Sequence, residues 1–234
     1  MSCRPLLYVM LLLSLCLWEG CTPICNDCTS PTAGRIYVPT SIGHYIEYEV
    51  VEEDFLLNKS PQKNSYQIKE VITEGFINAA GQSSFRIQRF RRSHAAASWQ
   101  PDSVYSLRLT PDYAIRNENS LDFVKIVFPI FDKSNWNGNI YNHLGEDRYE
   151  LVRADQPFTI GNRRFDKTVT VIQQNDSTLV GQDKRIEVYA EGIGLVYRER
   201  IGLQFCSSTP ACIGKAQIDF GRRQYVRFLN SGKQ

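Results

Sequence analysis

Apolar and polar residues alternate along most of the chain that follows residue 35. In one such segment Ile46, Tyr48 and Val50 alternate with Glu47 and Glu49. A period of two indicates a β-strand with one buried face. The same period recurs in six further segments, at Tyr66, Ile68 and Ile72, at Phe85 and Ile87, at Tyr105, Leu107 and Leu109, at Phe165, Val169 and Val171, at Ile186 and Val188 around Glu187, and at 225–229.

Three features modify this pattern. Glu70 interrupts the apolar positions of the second segment. The run LDFVKIVF at 121–128 is almost continuously apolar, which predicts a strand that is buried on both faces. The turn sequence EGIG at 191–194 separates two strand patterns and predicts a β-hairpin.

The fold class follows from these strands and from the turns between them. No window of ten or more residues has the i, i+3, i+4, i+7 spacing of an amphipathic helix. Turn-forming residues cluster at 58–61, 75–82, 117–120 and 175–177. We therefore predict an all-β protein with a single, mainly antiparallel domain of about ten strands over 35–230, arranged as a barrel or a sandwich.

The beginning of the chain has a different pattern. Residues 6–18 are apolar with one exception and follow one positive charge. A membrane-spanning helix needs about 20 apolar residues, so this shorter run predicts a signal peptide over 1–20. Gly20 and Cys21 resemble the lipobox of bacterial lipoproteins, although the preceding Trp-Glu pair departs from it. We predict lipidation of Cys21, with ordinary cleavage near Gly20 and secretion as the alternative.

A short polar segment connects this leader to the strands. Residues 21–34 are rich in Pro, Ser, Thr and Asn, which predicts a flexible tether beginning at Cys21. No acidic run that would resemble a surface-export signal follows Cys21. The predicted location is therefore the cell envelope, lipid-anchored at the outer membrane and facing the periplasm.

Composition and charge narrow the class of partner. The chain is 42% hydrophobic and 22% charged, as is usual for a globular protein. It contains 12 Tyr and 12 Phe but only 2 Met, and this aromatic content favours strands. A net charge of +2 argues against a nucleic-acid partner. No cofactor is predicted.

Cysteines offer one candidate disulfide. Cys206 and Cys212 flank a Pro-containing loop, and an exported chain can form a local bridge there. Cys25 and Cys28 have CxxC spacing but lack the preceding strand and following helix of a redox motif. Pairing within or between these two pairs, and free thiols, remain open from the sequence.

Three histidines limit the acid–base chemistry that the chain could perform. His44 begins a strand and His94 lies in a predicted loop, whereas Glu146 and Asp147 follow His143. A hydrolase could be assembled around His143, yet the chain has no Gly-x-Ser-x-Gly nucleophile elbow. We predict no catalytic residue and no enzymatic activity, and we keep a hydrolase that uses His143 as a second alternative.

The loop sequence DKSNWNGN at 132–139 partly matches a calcium-binding loop. Lys133 stands at the first ligand position and would repel the ion, so we predict an Asn/Gly turn and no metal site. Trp136, Tyr141 and His143 are instead candidate ligand-binding residues, because an aromatic ring can stack on a ligand such as a sugar.

Three segments together carry a resemblance to a known family. VPTSIGHYIEYEV (38–50), WNGNIYNHLGED (136–147) and EVYAEGIGLVYRE (187–199) resemble a family of uncharacterised bacterial cell-envelope lipoproteins. The resemblance covers most of 36–230. It implies an envelope location and a β fold, and it brings no biochemical activity with it.

These observations predict a non-catalytic envelope lipoprotein with a structural or partner-binding role. Its predicted partners are the membrane, through the lipid anchor, and an envelope protein or a lipid ligand. The first alternative is a carrier of a hydrophobic ligand or lipid, because a barrel of about eight strands or more can enclose an apolar cavity.

Overall fold

The computed structural model describes residues 34–234. In this part of the chain a short 3-10 helix (Arg35–Tyr37) precedes twelve β-strands that form one sheet. The strands are β1 (His44–Phe55), β2 (Gln62–Ile77), β3 (Ser83–Arg92), β4 (Gln100–Leu109), β5 (Tyr113–Glu118), β6 (Leu121–Val127), β7 (Asn135–Asn137), β8 (Arg148–Ile160), β9 (Arg163–Ser177), β10 (Gly181–Ala190), β11 (Gly194–Phe205) and β12 (Ile218–Lys233).

The sheet consists of two six-stranded meanders that share one seam. Strands β1–β6 pair in sequence order, and so do β7–β12. The seam is the antiparallel pairing of β1 with β12, in which Val50 lies opposite Val226. Every strand pair is antiparallel. The sheet curls so that its two end strands, β6 and β7, approach each other and form a nearly closed barrel.

Hydrogen bonds of two residues in β6 join these two ends. The backbone N–H of Val124 in β6 donates to the carbonyl oxygen of Gly138, just after β7, at 2.9 Å. The Val124 carbonyl accepts a bond of 2.9 Å from the indole Nε1 of Trp136. Asn142 adds a side-chain bond of 2.9 Å to the Asp122 carbonyl. These bonds satisfy backbone groups that an open sheet edge would leave exposed.

Alternating side chains fill the inner face of the barrel. Paired residues point to the same face, so the register aligns apolar positions from neighbouring strands. Glu187 and Tyr189 line the interior from β10, and the residues paired with them in β9 are Val171 and Val169, both fully buried. The main apolar cluster consists of Tyr37, Ile72, Ile87, Leu107, Ala114, Ile126, Phe128, Tyr149, Leu151, Val169, Val171 and Tyr189.

The predicted all-β, single-domain antiparallel fold is confirmed, and the barrel rather than the sandwich is the form it takes. The predicted hairpin is β10–β11, and β6 is buried on both faces at Val124 and Ile126. Strands β5, β7 and β8 were not predicted individually, because β5 and β7 are short and apolar alternation is weak along β8. Three predicted turns also begin too early, since β2 continues to Ile77, β5 to Glu118 and β9 to Ser177.

Several predictions lie outside the described residues. These are the signal peptide at 1–20, all but the last residue of the tether predicted over 21–34, and the three cysteines Cys21, Cys25 and Cys28. Residues 34–234 contain no helix that is long and apolar enough to cross a membrane.

Replacement of Gly138 by Ala tests the closure of the barrel. A Cβ at this position would overlap the ring of Tyr149, which is 2% exposed and packs edge-on against Trp136. We expect Gly138→Ala to lower the free energy of unfolding by about 1–3 kcal/mol through overpacking, measured by urea denaturation. The control is Gly202→Ala in β11, where an added Cβ meets no atom within 4 Å. Equal stabilities of the two variants would contradict this account.

Candidate functional site

The barrel interior contains a layer of charged side chains, which we call the inner charged layer. The two-residue period places Arg116 and Glu118 of β5 on one face, and the register places Glu187 of β10 opposite Arg198 of β11. Both of these pairs face the interior. The full layer consists of Glu70, Arg116, Glu118, Lys125, Glu187, Arg198 and, at its margin with a side chain that is 40% exposed, Arg200.

Arg116 connects two carboxylates on one side of this layer. Its Nη2 donates to Glu70 Oε1 at 2.6 Å, across from β5 to β2. Its Nε lies 3.0 Å from Glu118 Oε1. The bond to Glu70 is charge-assisted and therefore among the strong hydrogen bonds of proteins, whereas the contact with Glu118 is an ion pair without a hydrogen bond from Nε.

Lys125 connects the two meanders. Its Nζ lies 3.5 Å from Glu118 Oε1 and donates to Glu187 Oε1 at 3.2 Å, although β6 and β10 are not neighbours in the sheet. Arg200 approaches the same two carboxylates at 3.8 Å. The hydroxyl of Tyr189 donates to Glu187 Oε2 at 2.6 Å. Glu187 therefore accepts one bond from Lys125 of β6 and one from Tyr189 of its own strand.

The cations keep these carboxyl groups ionised. Burial alone would raise the pKa of Glu118, but Lys125 and Arg116 outweigh it and hold that pKa well below its ordinary range. Burial also acts against the ionised form of Glu187, and Lys125 with Arg200 nevertheless lowers its pKa. Since both groups stay ionised at neutral pH, neither is suited to exchange a proton with a substrate there.

A cavity of about 80 Å³ is lined by members of this charged layer and by residues 37–39. We call residues 35–39 the covering segment. Its polar end is formed by Tyr48, Tyr189 and members of the charged layer. Its other lining residues include His44 and seven aliphatic residues, which are Ile46, Ile72, Ile87, Leu107, Ala114, Ile126 and Leu195. Charged and aliphatic side chains therefore meet in the same cavity, as at the paired residues Leu107 and Arg116.

The covering segment is fastened at three places. Arg35 Nη2 donates to the Thr110 carbonyl at 2.8 Å, and the Gly192 N–H donates to the Ile36 carbonyl at 2.9 Å. The hydroxyl of Tyr37, 2% exposed, donates to an Asp155 carboxylate oxygen. These bonds hold the segment across the interior, beside the turns that follow β4 and β10.

Buried donors at the polar end lack acceptors. The Tyr48 side chain is 2% exposed, yet its hydroxyl has no hydrogen-bond partner among residues 34–234. The Nε atoms of Arg198 and Arg200 also lack a partner there, but these two residues do not line the cavity. Burial and then the charge of Glu70 raise the pKa of Tyr48, so its hydroxyl keeps its proton and can donate. An unpaired buried donor is costly, so the Tyr48 hydroxyl is the natural contact for a molecule in the cavity.

The three candidate ligand-binding residues do not form this site. Trp136 packs against the main apolar cluster and its indole N–H bonds to Val124. Tyr141 is 45% exposed and lies edge-on to Tyr113, with the guanidinium of Arg108 over its ring at 5.2 Å. His143 is exposed on the same loop as Tyr141. The structure thus places one of the three in the closure of the barrel and two on its surface.

The amide side chains of this loop hold its backbone. Asn137 Oδ1 accepts the N–H groups of Asn139 and Asp147 at 2.9 and 3.0 Å. Asn142 Oδ1 accepts the N–H of Leu144 at 2.9 Å. Among residues 34–234 no group of His, Cys, Asp or Glu side chains is arranged to hold a metal ion. The oxygens that matched a calcium loop are therefore used to shape a turn.

The residues considered for a hydrolase either bond to other groups or are exposed at the surface. Asp147 forms a double hydrogen bond with Arg185, at 2.6 and 3.1 Å. Glu146 and His94 are exposed, and His44 Nε2 lies 2.9 Å from the Ile193 carbonyl. Asp147 consequently serves as an ion-pair partner of β10.

The last pair of cysteines lies in the loop between β11 and β12. Cys206 and Cys212 are joined by a disulfide with a Cα–Cα distance of 5.6 Å. Cys206 is buried, and its N–H donates to the Gln217 carbonyl at 2.8 Å. The bridge joins two cysteines that are six positions apart in the sequence. Their loop lies at the end of the barrel opposite the covering segment.

The charged layer was missed by sequence reasoning, although signals for it existed. Ile186 and Val188 alternate with Glu187, which predicts an outward glutamate, but Glu187 is 1% exposed and points inward. Bulges in β10 on both sides of this stretch shift the pattern, and Val188 is buried in a second cluster with Phe165. Two residues in the sequence indicate buried charges. Glu70 interrupts the apolar positions of one strand, and Lys125 lies within an apolar run.

Comparison with known proteins adds little to this picture. No protein-family model matches the chain, and no curated protein is significantly similar to it. Among solved structures, the chain is similar to a candidate lipoprotein from Parabacteroides distasonis, with a TM-score of 0.41 and 11% identity, over 84% of this chain and 98% of that one. A likeness this distant carries no argument about function, and the lipoprotein family remains a prediction from the sequence.

Two matched tyrosine variants test the polar end of the cavity. Tyr48→Phe removes a hydroxyl without a partner, so we expect the free energy of unfolding to change by less than about 1 kcal/mol. Tyr189→Phe removes a donor to the ionised Glu187 and should cost about 1.5–3 kcal/mol. Urea denaturation of the two variants and the natural protein measures the difference. A loss at Tyr48 as large as that at Tyr189 would show that the Tyr48 hydroxyl already has a partner.

Proposed function

We propose that this protein is a non-catalytic binding protein of the cell envelope, tethered to a membrane through Cys21, whose barrel interior holds a small ligand. The cavity between the covering segment and the inner charged layer carries this proposal. A barrel needs no cavity to be stable, because interiors are normally packed without voids larger than a water molecule. The combination of an aliphatic wall and unpaired buried donors supports a ligand with both apolar and polar parts.

The size of the cavity supports a small ligand over a whole phospholipid. One water needs at least about 10–15 Å³ measured in this way and has a share of about 30 Å³ in the liquid, so a cavity of about 80 Å³ holds only a few waters. Sites for drug-sized molecules are several times larger, on the order of 300–1,000 Å³. We accordingly narrow the carrier alternative from lipids in general to small amphipathic molecules.

Membrane attachment is supported by the sequence alone. The short apolar run, Gly20-Cys21 and the polar segment that follows agree with a lipidated N-terminus and a tether. One acyl chain gives marginal binding, whereas a multiply acylated cysteine anchors firmly. We propose the outer membrane, periplasmic side, as the location.

Two other functions compete with this proposal. A purely structural or partner-binding lipoprotein would use the barrel as a scaffold and leave the cavity to water. A hydrolase would need His143 as its base, but His143 is exposed on a surface loop and the nearby Asp147 is bonded to Arg185. We favour the binding protein over both because the barrel interior contains a cavity with polar and aliphatic lining residues.

Native mass spectrometry of the full-length chain, isolated from its own envelope fraction, tests the binding function. We expect a bound molecule much smaller than a phospholipid. A Leu107→Phe variant should lose it, because the larger side chain fills the cavity that Leu107 lines. The matched control is Val104→Phe on the same strand, where the side chain is 56% exposed. If the natural protein carries no bound molecule and binds none of the small amphipathic molecules added to it, the binding function is wrong and the scaffold function is favoured.

Cell fractionation with acyl labelling tests the anchor. We expect the natural protein to incorporate labelled acyl chains and to sediment with membranes. Cys21→Ser should abolish both, because it removes the acceptor thiol, while Cys28→Ser should change neither. An unlabelled natural protein, or a Cys21→Ser variant that remains with membranes to the same extent, would contradict lipidation at this cysteine.

A further inference from the structure

Large apolar side chains are exposed at the end of the barrel where the covering segment lies. Five of them are between 40% and 67% exposed, namely Ile36, Ile42, Phe76, Ile77 and Phe131. Single exposed apolar residues are common on soluble proteins, whereas a group of them marks a surface that contacts a protein or a membrane. We call these five residues the apolar rim.

Packing contacts place the members of the apolar rim at the same end of the barrel. Gly34, which precedes the covering segment, packs against the side chain of Ile130, and Phe131 follows directly in the chain. Ile42 lies against Gly75 near the end of β2. The covering segment itself is bonded to the turns after β4 and β10. The apolar rim and the cover of the cavity therefore share one end of the molecule.

Strand β2 carries two members of the apolar rim beyond the start of β1. Tyr45 of β1 is paired with Val71, and β2 continues past that point to Ile77. Phe76 and Ile77 are its last two residues and pair with β3. Successive residues of a strand point to opposite faces, yet both of these side chains are exposed. The end of the β2–β3 hairpin is therefore open to contact on both of its faces.

The predicted tether determines which surface this end faces. Gly34 follows the predicted lipid attachment site, Cys21, by 13 positions. A flexible chain of that length has an r.m.s. end-to-end distance of about 20 Å, and a fully extended one reaches about 45 Å. Strand β1 has 12 residues and is about 40 Å long, so the opposite end of the barrel lies well beyond the apolar rim. Lipidation at Cys21 consequently holds the apolar rim next to the lipid surface.

The opposite end of the barrel also carries exposed apolar residues, and it provides a comparison. They lie in the turns after β1 and β9, in the disulfide loop and at the start of β12, and they are Leu56, Leu57, Leu179, Val180, Ile213 and Phe220. Exposure alone therefore does not identify the membrane-facing end, whereas the position of Gly34 does. A short tether raises the local concentration of the neighbouring surface to about the millimolar range, so a weak contact forms at the tethered end of an anchored chain.

The charges beside the apolar rim come in pairs of opposite sign. Glu74 lies near the end of β2 and pairs with Arg86 at 3.2 Å. Asp132 and Lys133 follow Phe131 in the chain. Contact with a lipid surface at this end should therefore depend on the apolar side chains, and not on attraction of a basic cluster to acidic head groups.

We propose that the apolar rim docks on the phospholipid surface to which Cys21 anchors the chain, with Phe76, Ile77 and Phe131 at the level of the lipid head groups. This inference rests on the membrane tether of the proposed function and adds to it a contact surface and an orientation. Residues 37–39 form part of the cavity wall, so the cavity lies toward the membrane-facing end of the barrel.

Tryptophan quenching in vesicles tests this orientation. The natural protein and single tryptophan variants are isolated from membranes and reconstituted into phosphatidylcholine vesicles whose acyl chains carry bromine, which quenches nearby indoles. We expect Ile77→Trp and Phe131→Trp to be quenched several-fold more strongly than the matched variants Leu57→Trp and Leu179→Trp at the opposite end. All four positions are exposed, so the fold should tolerate each change, and the natural protein gives the background of the native tryptophans.

Polar substitutions in the apolar rim test the cause of the contact. With Phe131→Trp as the reporter, addition of Phe76→Ser and Ile77→Ser should reduce the quenching several-fold, because the rim loses two side chains that enter the lipid. Addition of Leu56→Ser and Leu57→Ser to the same reporter is the control and should have no effect. High salt should leave the quenching unchanged, since salt screens charges and not apolar contacts.

Acyl labelling of the same preparations separates failure of this inference from failure of the anchor. If the labelled protein is quenched equally at both ends, or if the serine substitutions at Phe76 and Ile77 have no effect, the docking surface is wrong while the anchor stands. If quenching requires acidic lipids and disappears at high salt, the contact is electrostatic and the inference is also wrong. If the natural protein takes up no label, the anchor fails and the inference fails with it.

Discussion

Mutual compensation of charges inside the barrel is the constraint on which the rest of the structure depends. Carboxylates and cations removed from water cost several kcal/mol each unless partners meet them with good geometry. The side chain of Glu187 in β10 is 2% exposed, and its nearest cation is Lys125 of β6 at 3.2 Å, whereas Arg200 of the neighbouring β11 lies 3.8 Å away. The two meanders must therefore curl toward each other, and the ends of the sheet must meet near Val124. Closure by Gly138 and Trp136 completes a geometry that the interior charges demand.

The alternation of apolar and polar residues predicts the strands correctly, but it assigns the buried Glu187 of the inner charged layer to the solvent-facing side. Ile46, Tyr48 and Val50 follow the period without interruption, and the strand they predict is present. The pattern treats a polar residue between two apolar ones as solvent-facing, which is correct for Glu47 and Glu49 and wrong for Glu187. A bulge inserts a residue and reverses the faces beyond it, and nothing in the local sequence around Glu187 marks where that occurs.

Other parts of the site depend on pairings that local patterns do not encode. Lys125 and Glu187 are 62 positions apart, and their contact exists only because the barrel closes. The loop residues Trp136 and Tyr141 drew attention because aromatic rings and amides suit ligands, yet the same properties suit a closing loop. Glu70 and Lys125 were the informative residues, since a charge within an apolar strand face either faces a partner or destabilises the fold.

The position of the cavity connects the fold to the predicted tether. The segment that covers the cavity is the first part of the chain that the structure describes, and it follows directly from the residues predicted to lead to Cys21. Its bonds to Thr110, Asp155 and Gly192 come from three separate turns or strands. Residues 37–39 of this segment form part of the wall of the cavity, so the bonds that fasten the segment also hold that part of the wall in place.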